Sequence, residues 1–282
     1  MIGFGDIEAL FSLRDRYNKW RNSEPRLTNT ADRFIHLFQA HGVARAQIPR
    51  FFGHGLTIHQ VEDNNELLKA LDTQILDAAA ELFAIKPEWL EGGSDELYEL
   101  KHFYNHPKKF GVWLDSLLSA TNVQRIDGWL LTTSEFNDEY DAAIVMREQI
   151  GEFGDEAIYR YHLCETWVYG YWKCRADIAA CIAQAWKRNC YVFGQRIPLS
   201  VFNRVISLNS VPDSELEQTR IHGKKFYAED LTTNPDFYAS ALKNEQFGID
   251  SAIARWLEYY ELGMMDSRFG DYGKLFRDFG GR

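Results

Sequence analysis

The sequence predicts an α+β protein, in which an N-terminal all-α bundle is followed by an α+β domain with a small antiparallel sheet and a C-terminal helix. Between Ala31 and Gly93, apolar residues recur at helical spacing in short segments. These segments must pack on one another, because each is too short to bury its own apolar stripe. From about Val123 onwards, short β-prone runs bounded by polar turns replace that pattern. Three strands followed by a helix favour an antiparallel sheet with a helix against it.

These patterns divide the chain into four parts. They are an N-terminal helix and arm (1–30), with the helix over 6–22, the helical bundle (31–93), connecting helices (94–122), and an α+β sensor or dimerisation domain (123–282). Pro107 divides the connecting segment into two predicted helices within 95–120.

Apolar periodicity predicts the elements of the last part. Strands are expected over 127–133, 142–148 and 157–163, and a further strand or turn over 191–197. Helices are expected over 176–187, 199–207 and 235–263. The glycines after Asp266 predict a loosely held tail.

The helical bundle has readable start signals and a predicted core. Thr73 is a candidate N-cap, and Pro87 suits the first turn of the next helix, where its missing N–H is not needed. The predicted core comprises Phe34, Leu37, Phe38, Ile48, Phe52, Ile75, Leu82 and Trp89.

The spacing of this bundle resembles that of the lambda-repressor/Cro-type helix-turn-helix DNA-binding family. Gly42 ends the first helix, a second helix starts at Ala44–Arg45, and Phe51–Gly53 leads into the turn. The stretch Asp72–Ile85 is similar to the family's fourth helix and exit turn, and Pro87–Leu90 to its short fifth helix.

The resemblance implies a DNA-binding transcriptional regulator that contacts double-stranded DNA as a homodimer, one protomer for each half-site. It places Arg45 and Arg50 on phosphates, and Gln60 of the recognition helix on a base edge. The DNA-binding residues that it implies are Arg45, Arg50, Thr57, His59, Gln60 and Asn64. The cations between Arg14 and Arg26 are a further candidate source of phosphate contacts.

Charge and one proline favour an alternative, a protein-interaction module that keeps the fold without binding DNA. The whole chain has a net charge of −10. Residues 31–93 hold five Lys and Arg against nine Asp and Glu, a net charge of −4, whereas DNA-binding domains normally present a basic face. Pro49 also falls within the second helix, where proline removes a hydrogen bond.

A third hypothesis, an enzyme within residues 123–282, finds no catalytic constellation in the sequence, and we expect no enzyme, cofactor or metal site. Cys164, Cys174, Cys181 and Cys190 lack C-x-x-C spacing, which predicts buried, reduced thiols. The N-terminus lacks a signal-peptide pattern and no apolar run is long enough to span a bilayer, so we expect a cytoplasmic protein without membrane contact.

A small-molecule effector is a candidate partner of the C-terminal domain. His162 and Cys164 share one face of a predicted strand and are a candidate for the start of a metal or nucleophile site. The aromatic run around Trp167, Tyr169, Tyr171 and Trp172 predicts a packed core or a small-ligand pocket.

Overall fold

The computed structural model of the chain describes residues 27–120, 125–133, 141–212, 223–240, 242 and 246–281. The helix predicted over 6–22 lies outside the described residues, as do the cations from Arg14 to Arg26. The described part has a mixed α+β architecture, with N-terminal helices followed by a six-stranded sheet, which confirms that the chain is of the α+β class. No helix of the described ranges is both long and apolar enough to cross a membrane.

Short helices fill the segment that the apolar periodicity marked as helical. A 3₁₀ helix (Arg45–Gln47) precedes the second of them. The α-helices are α1 (Thr30–Ala40), α2 (Ile48–Phe51), α3 (Ile58–Glu62), α4 (Asn64–Ala70), α5 (Thr73–Phe83) and α6 (Pro87–Glu91).

Local chemistry accounts for how these helices begin. Asp72, and not Thr73 as predicted, is the N-cap of α5, where its carboxylate accepts a hydrogen bond of 2.9 Å from the Ile75 N–H. Pro49 is the second residue of α2, so it lies in the first turn and removes no intrahelical hydrogen bond. The proline is therefore accommodated because the second helical segment is divided into a 3₁₀ turn and a short α-helix.

The predicted core of the bundle is largely confirmed. Phe34, Phe38, Ile48 and Trp89 are buried, and the guanidinium of Arg33 lies 5.3 Å from the centre of the Trp89 ring. The other predicted core residues are buried or half-buried: Leu37, Phe52, Ile75 and Leu82.

The remaining elements form the sheet and the helices around it. The strands are β1 (Leu100–Lys101), β2 (Ile126–Thr133), β3 (Ala142–Phe153), β4 (Glu156–Trp167), β5 (Tyr191–Ile197) and β6 (Lys224–Phe226). The helices are α7 (Pro107–Leu118), α8 (Trp172–Lys187), α9 (Leu199–Ile206), α10 (Asp230–Thr233), α11 (Pro235–Ser240), α12 (Gln246–Glu261) and α13 (Gly273–Gly280).

The sheet is mixed and not antiparallel as predicted. Its strand order is β1-β4-β3-β2-β5-β6, and the pairs β1–β4 and β2–β5 are parallel. The antiparallel expectation holds for the central meander of β2, β3 and β4. Helix α8 returns the chain so that β5 joins the far side of β2, and such a crossover produces a parallel pair.

Both faces of the sheet are covered, which produces two apolar cores. Val145 and Leu163 face a core that they share with the N-terminal helices and α9. Ile144 and Cys164 face a second core that includes α7, α8 and α12. The N-terminal helices therefore pack directly on the sheet of the second module.

Further predicted features differ from the structure. The one helix expected over 235–263 is two separate helices, α11 and α12. The helix expected before Pro107 is absent from the described residues 95–106, which form β1 and a loop, because tertiary hydrogen bonds engage this backbone (see below). The tail after Asp266 is not loose, since it ends in α13, whose Phe276 stacks on Trp256 of α12 at a ring-centre distance of 3.6 Å.

Replacing Trp89 with Ala tests the packing of the bundle. We expect a loss of about 3–5 kcal/mol in the free energy of unfolding, because truncation of a buried Trp leaves a cavity. The matched control is Ile58→Ala, whose side chain is 59% exposed, and it should change stability by about 0.5 kcal/mol or less. Urea denaturation measures both, and equal effects would contradict the packing described.

The buried His41 predicts a pH-dependent stability. Its Nδ1 lies 2.7 Å from the Leu37 carbonyl oxygen and its Nε2 lies 3.1 Å from the Tyr98 hydroxyl. Burial lowers the pKa of His41 from 6.5 to about 4, so between these values the unfolded chain binds the extra proton. Stability should therefore fall by about 3 kcal/mol as the pH is lowered from 6.5 through 4.

Denaturation of His41→Gln at several pH values checks this expectation, since the variant should lose much of the wild-type decline. The exposed His59→Gln is the control and should keep the wild-type decline. A decline that is identical in wild type and His41→Gln would show that His41 is not its cause.

Candidate functional site

The predicted recognition segment lies at the surface of the bundle. In α3, Val61 is buried, whereas Ile58 and His59 are exposed. Thr57 is the N-cap, and a capping box joins it to Gln60, whose side-chain oxygen accepts a hydrogen bond of 2.9 Å from the Thr57 N–H. The helix therefore presents its first turn outwards, and the Gln60 amide oxygen already serves the cap.

Arg45 and Asn64 belong to a hydrogen-bond network within the bundle. The Arg45 guanidinium donates to the Val61 carbonyl and to the Asn64 side-chain oxygen. Asn64 in turn donates to the Asp32 carboxylate at 2.5 Å. These contacts fix α3 and α4 against α1 and the 3₁₀ helix, so both residues have a positioning role in addition to any contact with DNA.

Four of the five cations between Ala31 and Gly93 have partners within the described residues. Lys69 pairs with Glu66 at 2.7 Å, and Lys86 pairs with Glu96. Arg33 and Arg45 donate to backbone carbonyls. Arg50 is exposed, and within the described ranges its side chain makes neither an ion pair nor a hydrogen bond. It is the cation of this segment that is best placed to meet a phosphate.

A second feature is a buried ionic cluster on the sheet, formed by Glu148 of β3 with Arg160 and His162 of β4. Arg160 binds the Glu148 carboxylate with two hydrogen bonds of 2.7 Å. The Nε2 of His162 lies 3.2 Å from Glu148, and a third Arg160 nitrogen donates to the Glu81 carbonyl at 3.1 Å. The cluster thus connects the sheet to α5 of the bundle.

The protonation states in this cluster follow from burial and hydrogen bonding. Burial opposes ionisation of Glu148, but the hydrogen bonds from His162 and Arg160 outweigh it and hold the pKa of Glu148 below its ordinary value. Burial lowers the pKa of His162, and the Glu148 carboxylate offsets this only in part. At neutral pH Glu148 is therefore an anion, and His162 is neutral with its Nε2–H directed at Glu148.

A groove of about 810 Å³ lies above this cluster, between the bundle and the sheet. Its lining comes from α5, α6, β1, β4 and α7 and includes Asp77, Glu81, Glu88, Trp113, Tyr161 and His162. The Trp113 ring stands edge-on to the His162 ring, with centres 5.3 Å apart. Because the groove touches both modules, a molecule bound there would contact both.

Two further carboxylates hold the loop between β1 and α7. Glu165 accepts hydrogen bonds from the Phe103 and Tyr104 N–H groups at 2.8 and 2.9 Å, and Asp177 accepts one from the Asn105 N–H at 2.7 Å. Glu165 occupies a bulge of β4 with a φ of 54°, a left-handed conformation that is unusual outside glycine. Burial raises the pKa of Asp177, although the Tyr259 hydroxyl also donates to it at 2.6 Å.

This loop borders a second, mainly apolar cavity of about 740 Å³, which Phe103, Lys108, Trp113 and Met264 help to line. No group of three His, Cys, Asp or Glu side chains in the described residues is arranged to hold a metal ion.

The other candidate residues of the sequence analysis are His162, Cys164 and the aromatic run. His162 and Cys164 do share a face of β4, but burial raises the pKa of the Cys164 thiol far above its usual range, which makes it a poor nucleophile. Trp167 and Tyr169 are buried, and the Arg175 guanidinium stacks 4.0 Å from the centre of the Tyr169 ring. Tyr171 is exposed and Trp172 is half-buried, so only the first two aromatic residues of the run belong to the core.

Sequence reasoning did not single out Glu148 or Arg160. Arg160 and His162 are two residues apart, and this spacing on a strand was the available signal, because it places both on one face. Comparison of the chain with protein-family models, with curated proteins and with solved structures found no match.

Removing the charge of Glu148 tests the cluster. Glu148→Gln should destabilise the protein by about 3 kcal/mol, because Arg160, with a side chain only 19% exposed, would lose its counter-charge. Glu66→Gln, which breaks the exposed pair with Lys69, should cost about 1 kcal/mol or less. Chemical denaturation compares the two, and a cost no larger for Glu148→Gln would contradict the assigned role.

Proposed function

We propose that the chain is a DNA-binding transcriptional regulator, in which the helical bundle contacts double-stranded DNA and the sheet-containing module responds to an effector or dimerises. The observation that carries the proposal is the exposed first turn of α3, together with the exposed Arg50 of α2, which has no ion-pair or hydrogen-bond partner among the described residues. In helix-turn-helix proteins the N-terminal residues of the recognition helix meet the base edges, while neighbouring cations meet phosphates.

The structure supports a specific division of roles within this proposal. Arg50 would contact phosphate, and His59 is the exposed polar side chain of the first turn of α3. Thr57 and Gln60 cap the helix, so Gln60 would read a base edge with its remaining amide groups. Arg45 and Asn64 would position α3 through their network.

A second candidate, a protein-interaction module, is favoured by two observations on the same surface. The segment from Ala31 to Gly93 carries a net charge of −4, and most of its cations have partners. In addition, Ile58 of α3 and Leu68 of α4 are exposed, with 59% and 42% of their surfaces accessible. Exposed apolar side chains on an acidic surface suit a protein partner better than a phosphate backbone.

Salt-dependent DNA titration decides between the two candidates. With the full chain and a pool of duplexes, Arg50→Ala should weaken binding to all sequences and lower the salt slope by about one unit. His59→Ala should relax the preference at one base pair by about 1–3 kcal/mol. Lys69→Ala is the control for Arg50→Ala, because it removes the same charge from a residue that is already paired with Glu66.

The DNA proposal fails if wild type shows no salt-sensitive binding to any duplex, or if Arg50→Ala and Lys69→Ala behave alike. The first of these outcomes would leave the interaction module as the function of the bundle.

A further inference from the structure

The apolar cavity beside the β1–α7 loop has one wall that comes from a single helix. Lys108, Val112 and Ser116 follow one another at four-residue spacing along α7, and Lys109 and Trp113 lie beside them at the same spacing. This face of α7 therefore begins with two lysines and continues as a largely apolar surface. The cavity volume of about 740 Å³ lies in the range of small-molecule sites.

The other walls are apolar and belong to the same core as α7. Phe103 precedes that helix, Tyr259 lies on α12 and Met264 follows α12. All three pack with Trp113 in the core that contains α7, α8 and α12. Val112 also lines the cavity, and its apolar side chain is 59% exposed. An apolar molecule in the cavity would remove this surface from water, which favours binding.

The two lysines of this wall have no counter-charge within the described residues. Lys108 and Lys109 are exposed, and neither forms an ion pair with a described carboxylate. The other polar residues of the lining, Asn105, His106 and Ser116, carry no negative charge. The positive charge at this end of the cavity is therefore uncompensated, and it attracts an anionic group.

The carboxylates next to the lining do not cancel this charge, because each is already engaged. Asp115 pairs with Arg188 at 2.7 Å, and Glu258 pairs with Arg255 at 2.7 Å. Asp177 is buried and accepts hydrogen bonds from the protein. The local balance at the cavity is therefore positive, which disfavours a cationic ligand.

We propose that this cavity binds a medium-chain carboxylate, whose apolar chain covers Phe103, Val112 and Trp113. The carboxylate of the ligand meets the ammonium groups of Lys108 and Lys109. This class of molecule matches both features of the cavity, an apolar interior and a positively charged end. A small inorganic anion would leave the apolar walls uncovered, and an alkylammonium ion would be repelled by the lysines.

Binding of a carboxylate to this cavity does not rest on the proposed function of the bundle. The cavity lining belongs to the core of α7, α8 and α12, whereas the bundle shares the other core of the sheet. The binding is therefore measured without DNA. A chain that binds the carboxylate but no DNA would refute the proposed function and leave this site standing.

The experiment is isothermal titration calorimetry of the full chain with octanoate as the probe, below its micelle-forming concentration. We expect saturable binding, with affinity at least about tenfold weaker for octylammonium, which reverses the charge on the same chain. Butyrate should also bind at least about tenfold more weakly, because its shorter chain buries less apolar surface. These comparisons need no protein variant, so they cannot be confused with misfolding.

The first protein-side test is the double variant Lys108→Gln and Lys109→Gln, which should weaken octanoate binding about tenfold. Its control is the double variant Lys224→Gln and Lys225→Gln, which removes two adjacent exposed lysines of β6 that do not line the cavity. The control should bind octanoate as wild type does.

The second test places a carboxylate in the cavity. Val112→Glu should weaken octanoate binding about tenfold, because the new charge opposes that of the ligand. Leu118→Glu is its control, since Leu118 is an exposed apolar residue of the same helix outside the lining. The proposal is overturned if octanoate does not bind at millimolar concentration, if octylammonium or butyrate binds as tightly, or if either variant binds like its control.

Discussion

Burial of the sheet on both faces is the constraint on which the rest of the structure depends. Along β3, Ile144 and Met146 enter one core while Ala143 and Val145 enter the other, so this central strand packs against two layers of helices. A polar side chain on a strand of such a sheet needs a hydrogen-bond or ion-pair partner within the protein. Glu148 is paired by Arg160 and His162, which makes the ionic cluster a consequence of the buried sheet.

The same constraint joins the helical bundle to the second module. The bundle shares an apolar core with β4, and Arg160 reaches the Glu81 carbonyl at the end of α5. The groove opens where this packing is incomplete, above His162 and between α5, α6 and α7. A molecule that binds there would contact both modules at once. Such shared contacts would allow its binding to couple the conformation of one module to that of the other.

Much of the fold could be predicted from the sequence, because the spacing of apolar residues indicates which side of a helix or strand is buried. The strands containing Leu130, Val145 and Leu163 and the helix after Pro87 were located from their spacing. Strand β1 and the loop before Pro107 could not be predicted, since the partners of their backbone groups lie far away in sequence, on β4 and on Glu165 and Asp177. Local pattern carries no information on such pairings.

The candidate sites divide in the same way. The surface position of His59 could be expected from the apolar Val61, which faces inwards, but the apolar Ile58 of the same helix is exposed. The engagement of Arg45 by Asn64 and the pairing of Glu148 with Arg160 depend on strand register and helix packing. These pairings exist only in the folded chain. Sequence spacing could therefore indicate which side chains lie at the surface, but not which side chains pair with one another.

The central claim is that the helical bundle recognises DNA, and an in vitro selection tests it most directly. The purified full chain would be incubated with a library of randomised duplexes, and the bound fraction would be amplified and sequenced over several rounds. The account predicts enrichment of a two-fold symmetric motif, whose half-sites lie about one helical turn apart. A library that stays random after these rounds would contradict the account.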